Sequence, residues 1–356
     1  MDIIRFPHRS VKFCSFCIVL LLVMFPFSIG CTGVVQDTNM KSVSSDSIVV
    51  KDSLNNTIEI PSKLKRIVVQ NFDAVELLLA LGAEDYIVGV PDNVLEDPEF
   101  QGKLKNAQSV GNWRTPSPEA ILNLQPDAII MLTSKTYNMD AILQLNTTII
   151  YIDCYKIDSL PAEARLLGKV TGKESEAEEY IAYLEKYLEL VSSRIPADGQ
   201  INSSRIYAEK YNDYNPQGSG SGIDELIQKL NGNNIAADME ANTRVSPEWV
   251  VEQNPDIILK FVTSSTLQSG SSLEDTYNSV INRTGFENLN AVKNNQVYAI
   301  HGDPFFSPRV VVGLLYLAKI IYPDRFSDIN PEDALREYGE KFVSGFENTE
   351  TIYPKN

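Results

Sequence analysis

The chain has 356 residues, 43% of them hydrophobic and 22% charged, and a formal net charge of −16. This length is more than the commonest single domain needs and suits two, and the composition excludes fibrous and wholly disordered chains. So acidic a balance argues against nucleic acid and against anionic lipid surfaces as partners.

The first thirty residues read apart from the rest. Arg5, Arg9 and Lys12 form a basic start, the run FCSFCIVLLLVMFPFSI is apolar, and small Gly30 precedes Cys31. That is the layout of a secretory signal over residues 1–30. SIGC resembles a lipobox, which makes Cys31 the expected site of lipid attachment. An uncleaved N-terminal anchor is the alternative, because the run is near the length that spans a bilayer. Either way the body is expected outside the cytoplasm, held at the outer face of the cytoplasmic membrane. Residues 31–47 are polar, lack apolar periodicity and read as a flexible tether. Cys14 and Cys17 fall inside the leader, so they are not read as a metal or redox CxxC. Only Cys154 remains in the body, which therefore has no intramolecular disulfide.

Residues 48–160 alternate strand and helix. RIVVQN (66–71) has the Val/Ile run of a strand, FDAVELLLALGA reads as a helix ending at Gly82, and YIVGV is a second strand. The phrase SPEAILNLQPDAII follows from Ser117, its apolar end leads into Thr133 and Ser134, and TTIIYID is a further strand. Residues 161–196 form a linking helical segment. There Ala177, Ile181, Leu184, Leu188, Val191 and Ile195 make one apolar stripe, no Gly or Pro interrupts 173–195, and Pro196 stops the helix. At about 1.5 Å per residue this is a strut of roughly 35 Å. Residues 197–346 then repeat the first pattern: RIYAEKY as a strand, IDELIQKLNGNNIA as a helix ending near Gly232, SPEWVVEQNPDIIL from Ser246, and NQVYAIHG as a strand. The two phrases start 129 residues apart (246 − 117 = 129) with no gap inside the match. Residues 347–356 are a tail.

Such alternation implies parallel sheets covered by helices. The expected fold is α/β, with two Rossmann-like lobes joined by one long helix and a ligand cleft between them. In both phrases Ser reads as the N-cap, Pro as the first helical residue and Glu as the second. The helix dipole favours a carboxylate there, which by itself accounts for either Glu119 or Glu248. The pair, at equivalent places on related lobes, suits docking onto a two-fold symmetric partner with basic sockets.

Ligands of open parallel sheets sit beyond the carboxyl ends of the strands. That places Asn71, Phe72, Trp113, Arg114 and Thr133 of the first lobe at the cleft, with Tyr211, Tyr214, Thr263 and the stretch from His301 to Arg309 in the second. The phenols suit a ferric centre or the polar groups of a chelator, with rim or core packing as the alternative. Arg114, Arg244 and Arg309 offer bidentate partners to an anionic chelate; for Arg309, in SPR before a helix, a structural bond to a carboxylate is the expected use. His301 is the only histidine after the leader, so no protein metal site is expected.

Taken together, RIVVQNFDAVELLLALGAEDYIVGV, GNWRTPSPEAILNLQPDAIIM, the strut, VSPEWVVEQNPDIIL and SPRVVVGLLYLAKIIYPDRF resemble the iron-complex and cobalamin family of periplasmic binding proteins, over roughly Ile48 to Phe346. The resemblance implies the substrate-binding subunit of an ABC importer. Such a protein captures a metal chelate (a ferric siderophore, a haem-like or a corrinoid ligand) and delivers it to a permease dimer with its ATPase. It implies that Glu119 and Glu248 pair with permease arginines. It also implies that Trp113, six residues before Glu119, packs on the ligand as in the cobalamin-binding members. The equivalent second-lobe position is Asn242, a departure from that pattern. No enzyme activity and no cofactor are expected, and any iron or cobalt arrives inside the ligand. A ligand-binding sensor or chelatase-like scaffold on the same fold stays open. An extracellular enzyme also stays open, although the sequence has no GxSxG elbow, HExxH or paired His/Cys set.

Overall fold

The computed structural model describes residues 47–134, 138–196, 204–241, 243–346 and 350–355. The leader, Cys31, the tether up to residue 46 and Asn242 lie outside them. Strands β1 (Ile48–Lys51) and β2 (Thr57–Ile60) form an antiparallel hairpin that the sequence reading does not anticipate. Its turn is organised by Asp52, whose carboxylate accepts from the Leu54 and Asn56 amides and, at 3.3 Å, from Tyr151 N–H.

The first lobe runs β3 (Ile67–Val69), α1 (Phe72–Ala80), β4 (Ile87–Val90), α2 (Asp92–Glu96), β5 (Gln108–Ser109), α3 (Pro118–Asn123), β6 (Ala128–Met131), α4 (Met139–Leu143) and β7 (Thr148–Tyr151). Its sheet is wholly parallel, in the order β5-β4-β3-β6-β7. Two helices follow, α5 (Leu160–Thr171) and α6 (Glu174–Arg194). The second lobe runs β8 (Arg205–Glu209), α7 (Gly222–Lys229), β9 (Asn233–Asn234), α8 (Pro247–Gln253), β10 (Ile257–Val262), α9 (Ser264–Gln268), α10 (Leu273–Ile281), α11 (Asn290–Lys293), β11 (Val297–His301), α12 (Val310–Ile321), α13 (Pro331–Lys341) and β12 (Ile352–Tyr353). Its sheet order is β12-β11-β10-β8-β9, parallel except for the edge strand β12.

The duplication read from the sequence reaches the sheet topology. β4-β3-β6-β7 and β9-β8-β10-β11 are the same order of parallel strands. It also reaches individual hydrogen bonds. Asp127 of the first phrase accepts from Arg66 N–H at 2.9 Å, and Asp256 of the second accepts from Arg205 N–H at 2.9 Å. Arg66 Nε donates to the Leu124 carbonyl, and Arg205 Nε donates to the Gln253 carbonyl. One Arg–Asp clasp thus ties the first strand of each lobe to the helix and strand of its phrase.

Three boundaries differ from expectation. Residues 347–356, expected as a tail, contribute Ile352–Tyr353, which pairs with β11 as the edge strand β12 of the second lobe. The second-lobe helix stops at Lys229, not near Gly232, and Asn233–Asn234 pairs with β8 as β9. Tertiary bonds override the helical spacing there: Asn234 Nδ2 donates to the Gln217 carbonyl and to Asp224 Oδ1. The strut ends at Arg194 because Ile195, the residue before proline, is extended (ψ 155°). Its 21 residues span roughly 32 Å. Gly172 turns α5 into α6 in the left-handed region (φ 77°), where a side chain is strained.

The buried stripe of α6 also includes tyrosines that the aliphatic spacing omits. Tyr180, Tyr183 and Tyr187 are buried, and their hydroxyls cross to the second lobe. Tyr180 donates to the Pro308 carbonyl (2.6 Å), Tyr183 to the Ala334 carbonyl (3.0 Å) and Tyr187 to Glu337 (2.7 Å). The strut is therefore bonded to the lobe it leads into, as well as packed on it. No helix of the described residues is long and apolar enough to cross a membrane.

Candidate functional site

A cavity of about 600 Å³ opens at the carboxyl ends of both parallel sheets. The first lobe lines it with Gln70 to Asp73 after β3, Pro91, Asn93, Val94, Glu96 and Asp97 after β4, Trp113 after β5, Leu132 after β6 and Tyr155 after β7. The second lobe contributes Lys210 and Tyr211 after β8, Thr263 to Ser265 and Gln268 after β10, and Asp303, Phe306, Ser307 and Arg309 after β11. The volume falls within the range of small-molecule sites, and the location is where open α/β sheets bind ligands.

Each wall is held from behind. Asn71 caps α1, its Oδ1 accepting from Asp73 N–H at 3.0 Å. Its Nδ2 donates to the Ile152 and Asp153 carbonyls, pinning the end of β3 to the end of β7. The loop after β7 is fixed by Glu163, which accepts from the Asp153 and Cys154 amides. In the second lobe Lys260, buried in β10, donates to the Lys210 and Tyr211 carbonyls and to Glu209 and Asp213. That network sets the chain direction at the end of β8.

Of the residues assigned to the cleft from sequence, Asn71, Phe72, Trp113, Tyr211, Thr263 and Arg309 line the cavity. Trp113 is 42% exposed and Tyr211 38% exposed. Asn71 contributes surface, but its amide is committed to the backbone bonds above. Thr263 caps α9 with its hydroxyl. Arg114, Thr133, Tyr214 and His301 do not line the cavity. The Arg114 guanidinium stacks on Trp113, 4.6 Å from the ring centroid. Thr133 Oγ1 donates to Asp153 Oδ1 at 2.6 Å. Tyr214 packs edge-on to Phe286 beneath Arg283. His301 is buried, with Nε2 3.0 Å from Ser264 Oγ and 3.2 Å from Asp303 Oδ2.

Arg309 makes the structural bond to carboxylates expected of its place in SPR before a helix, which displaces the ligand contact also assigned to it. It is 1% exposed, and its Nε lies 3.0 Å from Glu76 Oε1 of the first lobe, at ion-pair distance without hydrogen-bond alignment. Its Nη2 reaches Glu76 at 3.2 Å and Glu99 at 3.4 Å. The guanidinium is committed to protein carboxylates and is not available to an anionic ligand.

The sequence reading passes over several polar lining residues: Gln70, Asp73, Asp97, Tyr155 and Lys210. Gln70, Asp73, Tyr155 and Lys210 carry only a positional signal, each within a few residues of a strand end, and Asp97 follows the short helix α2. Burial, with Glu76 and Asp303 nearby, pushes the Asp73 carboxyl well up. Burial also raises Asp97. Burial raises Asp303 too, but the bond and charge of His301, helped by Arg309 and Ser264, hold it below the usual range.

Ser264, His301 and Asp303 are the residue types of a nucleophile relay, but the geometry is not one. Ser264 and Asp303 both meet Nε2, while Nδ1 is buried without a partner. A relay needs serine on one ring nitrogen and the carboxylate on the other. Among the described residues no cluster of three or more His, Cys, Asp or Glu is placed to hold a metal ion.

Both phrase glutamates sit as their sequence predicts. Ser117 Oγ accepts from Ala120 N–H and Ser246 Oγ from Trp249 N–H, each at 3.2 Å, with proline first in each helix. Glu119 and Glu248 are exposed, and among the described residues neither is in an ion pair.

Residues 67–304 match the family model described as periplasmic binding protein. The chain is 24% identical over 290 residues to YvrC of Bacillus subtilis, an uncharacterized ABC transporter substrate-binding lipoprotein, covering 79% of this chain and 87% of that one. It is 27% identical over 262 residues to the iron(3+)-hydroxamate-binding protein FhuD of the same organism, covering 71% and 78%. The solved structure of MolA from Haemophilus influenzae, bound to molybdate, shares the fold with a TM-score of 0.68 at 21% identity, over 85% of this chain and 99% of that one. Matched over most of its length and built as two parallel-sheet lobes around a cleft, the chain belongs to the periplasmic binding protein family.

Proposed function

We propose that this chain is the extracytoplasmic substrate-binding receptor of an ABC importer, which captures a metal chelate in the interlobe cleft and delivers it to a permease dimer. The observation that carries the reading is the cavity itself. It draws on the carboxyl ends of both sheets and exposes Trp113 from one lobe and Tyr211 from the other, aromatic surface suited to a flat or greasy chelate. Closure would be modest. The strut is hydrogen-bonded to the second lobe, and the Arg309–Glu76 pair joins the lobes, so the cleft is largely preformed.

Delivery is assigned to Glu119 and Glu248, two exposed carboxylates aimed by equivalent capped helices. Cys31 is the proposed lipid attachment point, and the tether then keeps the receptor near its permease. Iron or cobalt belongs to the cargo. Deleting the gene from its host tests the proposal: uptake of the chelate that the purified protein binds should fall to background. Undiminished uptake would contradict it.

A further inference from the structure

We infer that the cargo presents a positively charged group to the floor of the cleft. The inference rests on the reading of the cleft as the ligand site and narrows the class of ligand. Three observations carry it.

The first is Gln70. It lines the cavity just past β3 and is 5% exposed, yet neither Oε1 nor Nε2 of its amide has a hydrogen-bond partner. An unpaired buried amide is costly, and native interiors hold few of them. This one is placed where a bound molecule would supply its partners.

The second is charge. Asp73, Glu96, Asp97 and Asp303 line the cavity. Against them stand Lys210 and Arg309, and Arg309 is already paired with Glu76 and Glu99. Of the other two guanidiniums expected to greet an anion, Arg114 is stacked on Trp113, and neither it nor Arg244 lines the cavity. The cavity is therefore net acidic. A trianionic chelate would meet repulsion there, and a cation would favour the ionised form of Asp73, whose carboxyl burial, Glu76 and Asp303 push up.

The third is aromatic. The Lys210 ammonium lies 5.3 Å from the Tyr211 ring centroid and 5.0 Å from that of Phe306, both lining rings. Two lining rings thus present π faces to a cation's position, although burial, only partly offset by Asp73, lowers the pKa of the Lys210 ammonium itself.

The positive charge has two possible sources, an arm of a metal chelate or a free organic amine. The test uses the full chain in detergent with four probes: ferrioxamine B, a ferric trihydroxamate with a free ammonium arm; its N-acetyl derivative, the same chelate without the charge; spermidine; and trianionic ferric enterobactin. Ferrioxamine B should bind about tenfold tighter than the acetylated form, and ferric enterobactin more weakly still. Asp73→Asn should erase that difference, with Asp97→Asn as the substitute if the first variant does not fold. Gln70→Leu should weaken ferrioxamine B about tenfold while leaving the melting temperature of the free protein equal or higher, since it removes an unpaired amide. A merely structural glutamine would lower it. Equal affinity for the charged and acetylated chelates, or no binding of either cationic probe, overturns the inference. Tight ferric enterobactin binding also overturns it but leaves the receptor reading standing. Spermidine binding as tightly as ferrioxamine B supports the cationic site and instead sinks the chelate reading.

Discussion

Arg309 of the second lobe and Glu76 of the first meet 3.0 Å apart with side chains 1% and 0% exposed. Tyr338 donates to the same carboxylate at 2.8 Å. A buried pair of this kind is expensive to break, because the survivor keeps its charge without water. Arg309→Met should therefore cost about 3–5 kcal/mol of unfolding free energy. The double variant Arg309→Met, Glu76→Leu should recover most of it. Urea unfolding of the single and double variants checks this, and a single variant within about 1 kcal/mol of the parent would remove the clasp from the account.

The strut gives a smaller prediction. Tyr180→Phe deletes one buried hydroxyl and leaves the Pro308 carbonyl without its 2.6 Å partner. The expected loss is about 1–3 kcal/mol, the cost of an unsatisfied buried acceptor. Chemical denaturation measures it. No change would mean that water replaces the hydroxyl and the strut is less tightly joined than described.

Stability should also depend on pH through Glu99. Burial, reinforced by Glu76 and Asp303 and opposed by Arg309, pushes its carboxyl from 4.5 up to about 7. The folded protein then holds a proton that the unfolded chain has released, so this contribution is present below about pH 4.5 and is lost as pH rises through about 7. Glu99→Gln removes the dependence. Melting temperatures of parent and variant should diverge in the variant's favour between pH 5 and pH 8, whereas parallel curves would contradict the assignment.

Docking is separable from capture. Charge reversal of Glu119 and Glu248 together should abolish uptake and leave ligand affinity unchanged, since both lie outside the cavity lining. Either single reversal should be milder. Transport by the double variant at the parent rate would remove these residues from the interface.

The elements that could be read in advance were those whose signal is local. Apolar runs gave β3, β6, β8, β10 and β11, and the Ser-Pro-Glu starts gave α3 and α8 with their caps. What escaped depends on partners distant in the chain. A structural carboxylate bond can be expected of Arg309, but its partner Glu76, 233 residues away, is identified only by the fold. The strut tyrosines look like surface residues until carbonyls of the second lobe accept their hydroxyls. Cleft carboxylates such as Asp73 and Asp97 are indistinguishable, in a chain this acidic, from solvated surface charge. Trp113 and Tyr211 were found because position after a strand and aromatic type coincide.

Capture in the cleft is tested most directly by tryptophan fluorescence. The chain has two tryptophans. Trp113 lines the cavity, and Trp249 packs against Tyr207 away from it. Titrating the full chain with cobalamin and ferric chelates of differing charge should give saturable quenching at micromolar or lower concentration for at least one of them. That quenching should vanish in Trp113→Phe and persist in Trp249→Phe. Quenching that follows Trp249 instead, or none with any member of the panel, would contradict the cleft as the site of capture.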